Sequence, residues 1–387
     1  RWFWELEAGV IDADRCVQCG TCVAACPSDS LGVGRSGLPA LVKMCTGCGL
    51  CWDMCPRGGL RYEATWPGSA QALEGGPAWR ITGAPEAEGL GVVREVLAAR
   101  VRRGGGRPQD GGVVSAVLAA CLEEGAIDAV LLARPSESEA WKGVPHLATS
   151  AQEVWECAGS FYNQTMALAH LDLKKAGLGP EARVAVVGTP CEVQGIRAMQ
   201  ARPWRTGSSR VDAVVLTIAL LCTKSFDYQG LMLRELRDKR GVKLADVGKV
   251  DVVHGRMVVE DRSGRTLVDE PVRDFHGAAL KGCDECADFL GRAADISVGS
   301  VGSPPGWSSV LVRTEAGARA LDRARGQLEL AELERPEALH KLDSLDRRAA
   351  LEALKRKFDP DGPLFIDYDE HLGWYGGTDR APVVRDR

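Results

Sequence analysis

Hydrophobic spacing divides the chain into an irregular N-terminal stretch, a long α/β region and a polar tail. From about residue 91 to 330, short apolar runs alternate with longer amphipathic ones, the mark of an α/β domain. VVREVLAARVRR (92–103) predicts an Arg-rich helix, and GGGRPQDGG after it a flexible loop. VVSAVLAACLEEG (113–125) predicts a second helix and IDAVLLA (127–133) a buried strand. RVAVVG (183–188) and VDAVVLTIALLC (211–222) read as further strands, the latter long and buried. MVVED and TLVDE, joined by Arg262-Ser263-Gly264-Arg265, predict a hairpin. ADISVG (294–299) and SSVLVR (308–313) complete the strands. Beyond Pro336, a charged helix is expected, with Leu339, Leu342, Leu345, Ala349 and Leu351 loosely on one face.

Residues 1–65 show no such periodicity and hold eight cysteines. The Pro-, Gly- and Ala-rich stretch 66–90 reads as a linker. The domains expected are thus 1–65, a linker 66–90, an α/β domain 91–330 and a tail 331–387 with a helix. At 387 residues, 45% hydrophobic and 26% charged, the chain suits a soluble globular protein. The net charge of −5 argues against a general nucleic-acid binder. The longest uncharged apolar run, Ala213 to Thr223, is too short for a membrane span, which needs roughly 20 residues. The N-terminus lacks a basic start and apolar core, so a cytoplasmic location is expected.

Cysteine changes the picture. Of 14 in the chain, Cys16, Cys19, Cys22 and Cys26 follow C-x2-C-x2-C-x3-C and precede Pro27. Cys45, Cys48, Cys51 and Cys55 repeat the spacing and precede Pro56. This is the run of two-cluster bacterial ferredoxins, in which the fourth cysteine of each run serves the other cluster. One 4Fe–4S cube would be held by Cys16, Cys19, Cys22 and Cys55. The other would be held by Cys45, Cys48, Cys51 and Cys26. Gly20, Gly47 and Gly49 suit close backbone approach to sulfide. Paired structural zinc sites would need neither the third cysteine nor the proline, twice over.

Six cysteines remain. Cys283 and Cys286 form KGCDECADF, Cys191 sits at the strand-to-helix corner VVGTPCEVQGIRA, and Cys222 ends an apolar strand. These four could converge on a third cube, although a lone cysteine in an apolar strand is more often core. Cys121 reads as core, and Cys157, just before Gly159, as core or the neighbour of a ligand. The six histidines show no metal spacing. Gly111-Gly112 before a helix supplies free N–H groups suited to an anion. Gly188 and Pro190 frame a turn at the end of a strand, where α/β proteins place ligands. Arg94, Arg100, Arg102, Arg103 and Arg107 are either a solvated helix face or an anion cradle. A G-x-G-x-x-G at Gly32, Gly34 and Gly37 follows no hydrophobic strand and precedes Pro39, so it is not read as a dinucleotide site.

The segments GGVVSAVLAACLEEGAIDAVLLA, AGSFYNQTMA, VAVVGTPCEVQGIRA, LLCTKSF, CDECADF and ADISVGSVGSPPGWSSVLVRTEAG resemble the beta-subunit family of coenzyme F420 hydrogenases and dehydrogenases. The resemblance covers about residues 85–330. The whole layout is similar to the electron-input subunit of the F420H2 dehydrogenase of methanogen respiratory complexes. It implies a ferredoxin-like α+β N-terminal domain followed by a larger α/β flavin-binding domain and a helical tail. It implies FAD and three 4Fe–4S clusters, the third on Cys191, Cys222, Cys283 and Cys286. Gly111, Gly112, Val113, Ser115, Gly159, Ser160, Tyr162, Gly188, Thr189 and Pro190 would surround the flavin, with Arg102 and Arg103 as its candidate anion contacts or those of a deazaflavin tail. The activity implied is oxidoreduction between coenzyme F420 and one-electron carriers, with no side chain needed as a catalytic acid or base. The partner would be a redox protein or a larger complex, at most peripheral on a membrane. The family often shows GSKY where this chain has Gly159-Ser160-Phe161-Tyr162, so a basic residue is absent at 161. The alternative is a ferredoxin-dependent reductase of an organic substrate such as a chlorophyll-pathway tetrapyrrole, which the family also includes. A third possibility is a non-catalytic electron-transfer subunit. There are no surplus terminal Cys-x2-Cys pairs for a nickel–iron centre.

Overall fold

A computed structural model describes residues 3–59, 86–87, 90–102, 108–201 and 211–357. Most of the stretch 66–90 and the chain beyond 357 therefore lie outside the described residues. In the N-terminal part, α1 (Phe3–Leu6) leads into a π-type turn, Glu7–Ile11. Two one-turn helices follow, α2 (Thr21–Ala24) and α3 (Leu50–Asp53), separated by the hairpin β1 (Leu31–Val33) and β2 (Pro39–Leu41). Gly32, Gly34 and Gly37 belong to that hairpin and its turn, which explains why no dinucleotide strand precedes them.

After a short pair, β3 (Glu86–Ala87) and β4 (Gly91–Val92), the large domain begins with β5 (Glu95–Val101). In order there follow α4 (Val113–Glu123), β6 (Ala129–Pro135), β7 (Gly143–Ala148), α5 (Ala151–Glu156), β8 (Val184–Gly188), α6 (Pro190–Ala201) and β9 (Val214–Leu220). Three antiparallel strands, β10 (Val247–Val253), β11 (Arg256–Asp261) and β12 (Thr266–Pro271), form a separate small sheet. β13 (Ile296–Gly299), β14 (Ser308–Val312), α7 (Glu315–Ala324), β15 (Leu328–Ala331) and α8 (Pro336–Lys357) complete the chain.

The main sheet has eight strands in the order β15-β5-β14-β13-β9-β8-β6-β7. Its central four, β13-β9-β8-β6, run parallel and the flanking pairs are antiparallel. The parallel strands are buried on both faces, as their unbroken apolar runs require. Val130, Leu132, Ala185 and Ile218 face the core shared with α4 and α7. Leu131, Val184 and Val186 face the opposite side, towards Ile196 of α6. That second core also contains Ala24, Ala25, Leu50 and Met54, so the cysteine-rich part and the large domain share one apolar interior.

Several sequence expectations are corrected. The Arg-rich helix over 92–103 is strand β5, hydrogen-bonded to β14 on one side and β15 on the other. Its Ala and Leu content favours a helix locally, but pairing on both edges overrides that preference. β7, β10 and β15 were not anticipated. β7 and β15 lie at the two edges of the sheet, and β7 accommodates Pro145, as an edge strand can. The stripe of α8 is displaced from the one expected: Leu339, Asp343, Ala350 and Ala353 are buried, whereas Leu345 is exposed. Asp343 takes a place on the buried stripe because it pairs with Arg292.

Candidate functional site

The two cysteine loops repeat in backbone as well as in sequence. Gln18 and Gly47 occupy the left-handed region, with φ of 53° and 73°. Gly20 and Gly49 do so again, at 79° and 77°, and each caps a one-turn helix. The Gln18 and Gly47 amides donate to the sulfurs of Cys16 and Cys45 at 3.4 and 3.3 Å. Gly20 is also required by packing: a Cβ there would meet the Ala169 amide and the Met166 carbonyl at 2.6 and 2.9 Å.

None of the fourteen cysteines forms a disulfide. Burial pushes Cys16 and Cys55 up to about 12 and Cys22 well above its usual range. Neighbouring sulfurs add to this: Cys19 and Cys55 act on Cys16, and Cys16, Cys55, Cys19 and Cys51 act on Cys22. Cys51 is pushed up to about 12 by burial and then by Cys48, Cys45 and Cys26. Two neighbouring sets result: Cys55 stands near Cys16, Cys19 and Cys22, and Cys51 near Cys26, Cys45 and Cys48, with Cys22 and Cys51 close to each other as well. Cys222 is raised by burial and then by Cys283 and Cys286, so these three also stand together. Cys191, raised by burial and then by Cys19, shares a small buried group with Val17, Cys19 and Cys283. It thus lies between the first set and the Cys-x2-Cys pair. Cys121 is core, as expected. Among the described residues, no three His, Cys, Asp or Glu groups are placed to hold a single metal ion. A buried thiol is stable only neutral or bound to a cation, and sets of four thiols suit iron–sulfur cubes chemically.

Beside these sets, an open cleft encloses about 1120 Å³, solvent included. It lies at the carboxyl ends of the parallel strands, where Ala133 (β6), Gly188 (β8), Leu220 (β9) and Gly299 (β13) reach its wall. Open α/β sheets bind ligands at this edge. Of the residues expected around a flavin, Gly112, Val113, Ser115, Gly159, Ser160, Gly188 and Thr189 line it. Gly112, at φ 70°, caps α4 without a side-chain hydrogen bond, leaving the helix's first-turn amides open beside the cleft. Gly111 instead supports the wall: a Cβ there would press on the Ala99 carbonyl and the Ser308 amide. Tyr162 points away, its hydroxyl donating to Asp251 at 3.3 Å within the core of the small sheet. Pro190 begins α6 outside the wall. Arg102 donates to the Leu328 carbonyl, Arg94 pairs with Glu315, and Arg100 pairs with Glu329 and stacks on Trp307. Arg103 and Arg107 lie outside the described residues. Cys157 lines the cleft rather than the core alone, and burial raises it to about 11.

Sequence reasoning missed two acids of this wall, Asp110 and Glu192. Glu192 is pushed up to about 7 by burial. Its Oε2 accepts from the Thr189 amide at 2.8 Å, while Oε1 is buried with no partner. The cleft and the third thiol group meet at Thr189, whose hydroxyl is 3.1 Å from the Cys191 sulfur and 3.0 Å from Gln164 Nε2.

Residues 181–336 match the model of the C-terminal part of the coenzyme F420 hydrogenase/dehydrogenase beta subunit. Residues 96–172 match its N-terminal counterpart, and 9–61 match a 4Fe-4S dicluster domain. The F subunit of the F(420)H(2) dehydrogenase of Methanosarcina mazei is 30% identical over 360 residues, covering 89% of this chain and 93% of that protein. The chain belongs to the coenzyme F420 hydrogenase/dehydrogenase beta-subunit family. A second relative, the coenzyme F420-dependent sulfite reductase of Methanocaldococcus jannaschii, is 29% identical over 370 residues. That match takes in 92% of this chain but 52% of the reductase, so the chain spans about half of that longer protein. Among solved structures, a chain of the F420-reducing NiFe hydrogenase complex from Methanosarcina barkeri superposes with a TM-score of 0.65 at 27% identity, covering 70% of this chain and 95% of its own. The family relationship agrees with the mixed sheet and its cysteine sets, and with the oxidoreductase class of these relatives. No helix among the described residues is long and apolar enough to cross a membrane.

Proposed function

We propose that the chain is an electron-input subunit that links coenzyme F420 to one-electron carriers through FAD and three 4Fe–4S clusters. When bound, a flavin exchanges hydride with a deazaflavin and single electrons with iron–sulfur cubes, which makes it the necessary intermediary. The observation that carries this reading is the contact of Thr189 with Cys191, which joins the cleft to the third thiol group. Val113 and Ser115, in the uncapped first turn of α4, present amides suited to an anionic cofactor group. Gly159 and Gly188 keep the wall low, and Glu192 Oε1 is an acceptor available to a ligand donor. Cys191, Cys222, Cys283 and Cys286 would hold the third cube; the eight N-terminal cysteines would hold the other two. The relatives' names, a dehydrogenase subunit and a reductase, support a partner protein that takes or supplies the electrons.

The alternative, reduction of an organic substrate with electrons from ferredoxin, draws on one feature. Phe161 lines the cleft where a basic residue is common, and its apolar ring suits a flat apolar substrate. Anaerobically purified chain should contain about 12 Fe, 12 sulfide and one FAD, and should oxidise reduced F420 with a viologen acceptor. Absence of flavin, or pigment turnover without F420 oxidation, would reject the F420 reading.

A further inference from the structure

The junction between the cysteine-rich part and the large domain is built around two buried arginines. Arg15 and Arg57 are 3% and 2% exposed. Arg15 clasps Glu285 through Nε and a terminal nitrogen at 2.9 and 2.8 Å. It also donates to the carbonyls of Gly9 and Arg57 at 2.7 and 2.9 Å. Arg57 reaches across to the Gly282 carbonyl at 2.5 Å. Gly282 and Glu285 belong to the loop that carries Cys283 and Cys286, while Arg57 lies two residues after Cys55, to whose sulfur its amide donates at 3.4 Å. The approach is too close for side chains. A Cβ on Gly282 would collide with the Arg15 carbonyl, and one on Gly195 of α6 with the Thr21 hydroxyl of α2.

We infer that Arg57 is a positioning residue that clamps the Cys16–Cys19–Cys22–Cys55 centre against the Cys191–Cys222–Cys283–Cys286 centre and supplies a positive charge that both share. The inference rests on the three-cluster reading above. Cys19, Cys191 and Cys283 already share one buried group at this junction. The Arg57 guanidinium is bonded to the carbonyl of the residue before Cys283 and its own amide to the Cys55 sulfur, so its charge lies between the two groups. A cube held by four thiolates is anionic and gains a further negative charge on reduction, so a fixed buried cation favours the reduced form. An electron crossing here oxidises one centre and reduces the other by one unit, with no bond or proton change. The order of centres follows: the cleft, then the Cys191 centre, then the Cys16 centre, with the Cys26–Cys45–Cys48–Cys51 centre outermost in that order.

The test uses the full chain loaded anaerobically, with redox titration followed by electron paramagnetic resonance. Arg57→Gln should retain 12 Fe but lower the midpoint potential of both junction centres. A tenfold fall in the reduced-to-oxidised ratio at fixed poise is a shift of about 59 mV for one electron. The outermost centre should move far less, and Arg57→Lys should restore most of the loss. If full iron is retained and neither centre moves, or only one does, the shared-cation role is overturned while the three-cluster reading stands. Wild type that saturates near eight Fe would instead remove the Cys191 centre itself. Should both Arg57 variants fail to load, Cys191→Ala provides an independent measurement. Removing the neighbouring anion should raise the potential of the Cys16 centre, and an unchanged potential would overturn the juxtaposition.

Discussion

Cys191 and Cys121 are both buried thiols raised by burial, yet their surroundings differ in kind. Cys121 sits among aliphatic side chains of α4 and the sheet, whereas Cys191 stands among other sulfurs. Replacing Cys191 with Ala should remove about four Fe and leave eight. Replacing Cys121 with Ala should keep all the iron and cost on the order of 1 kcal/mol in a denaturant titration. Equal iron in the two variants would show that Cys191 is not a ligand. Spacing made the eight N-terminal cysteines legible, because a cube dictates how far apart along the chain its ligands fall. It could not do so for Cys191, Cys222, Cys283 and Cys286, which come from three separated segments. Glu192 and Asp110 carried no sequence signal, since any acid beside a glycine turn reads as surface.

At the level of elements, α8 shows how a charged helix becomes structural. It begins at Pro336, where the match to the family model ends. Arg292 grips Asp343 through both terminal nitrogens at 2.8 and 2.7 Å, and both side chains are about 6% exposed. Asp343→Ala would strand a buried guanidinium and should cost about 3–5 kcal/mol, with faster hydrogen exchange in α8. An unchanged exchange profile would mean that the pair does not dock the helix. Asp346, one turn on, behaves oppositely. Burial, then the neighbouring Asp343, raises it to about 7 against the pull of Lys224. Its folded value exceeds the unfolded one near 3.8, so ionising it opposes folding. That penalty grows from about pH 4 and is complete above about pH 7. Asp346→Asn should therefore stabilise the chain increasingly over that range and level off beyond it. A constant difference across pH would contradict this. The strand β5 carries the complementary lesson: residues 95–101 contain good helix formers, and only the two flanking strands make them a strand.

For the molecule as a whole, the cysteine-rich part is not a bead on a string. Met54, fully buried, packs with Ala24, Ala25 and Leu50 in the same core as Leu131, Val184 and Val186 of the main sheet. Unfolding followed by far-ultraviolet circular dichroism and by cluster absorbance should give one coincident transition. Met54→Ala should lower its free energy by about 2–5 kcal/mol without separating the two signals. Two transitions would show independent domains. The sequence alone determined the cubane motifs, the α/β character of the large domain and the strand-end corners that line the cleft, because each depends on spacing within one short segment. Tertiary structure alone decided that Cys19 packs with Cys191 and Cys283, that Arg57 and Arg15 bind the two halves, and that Tyr162 and Arg102 turn away from the cleft. Those outcomes depend on which distant surfaces pack together, and that choice is made by the whole buried interior rather than by any local run of residues.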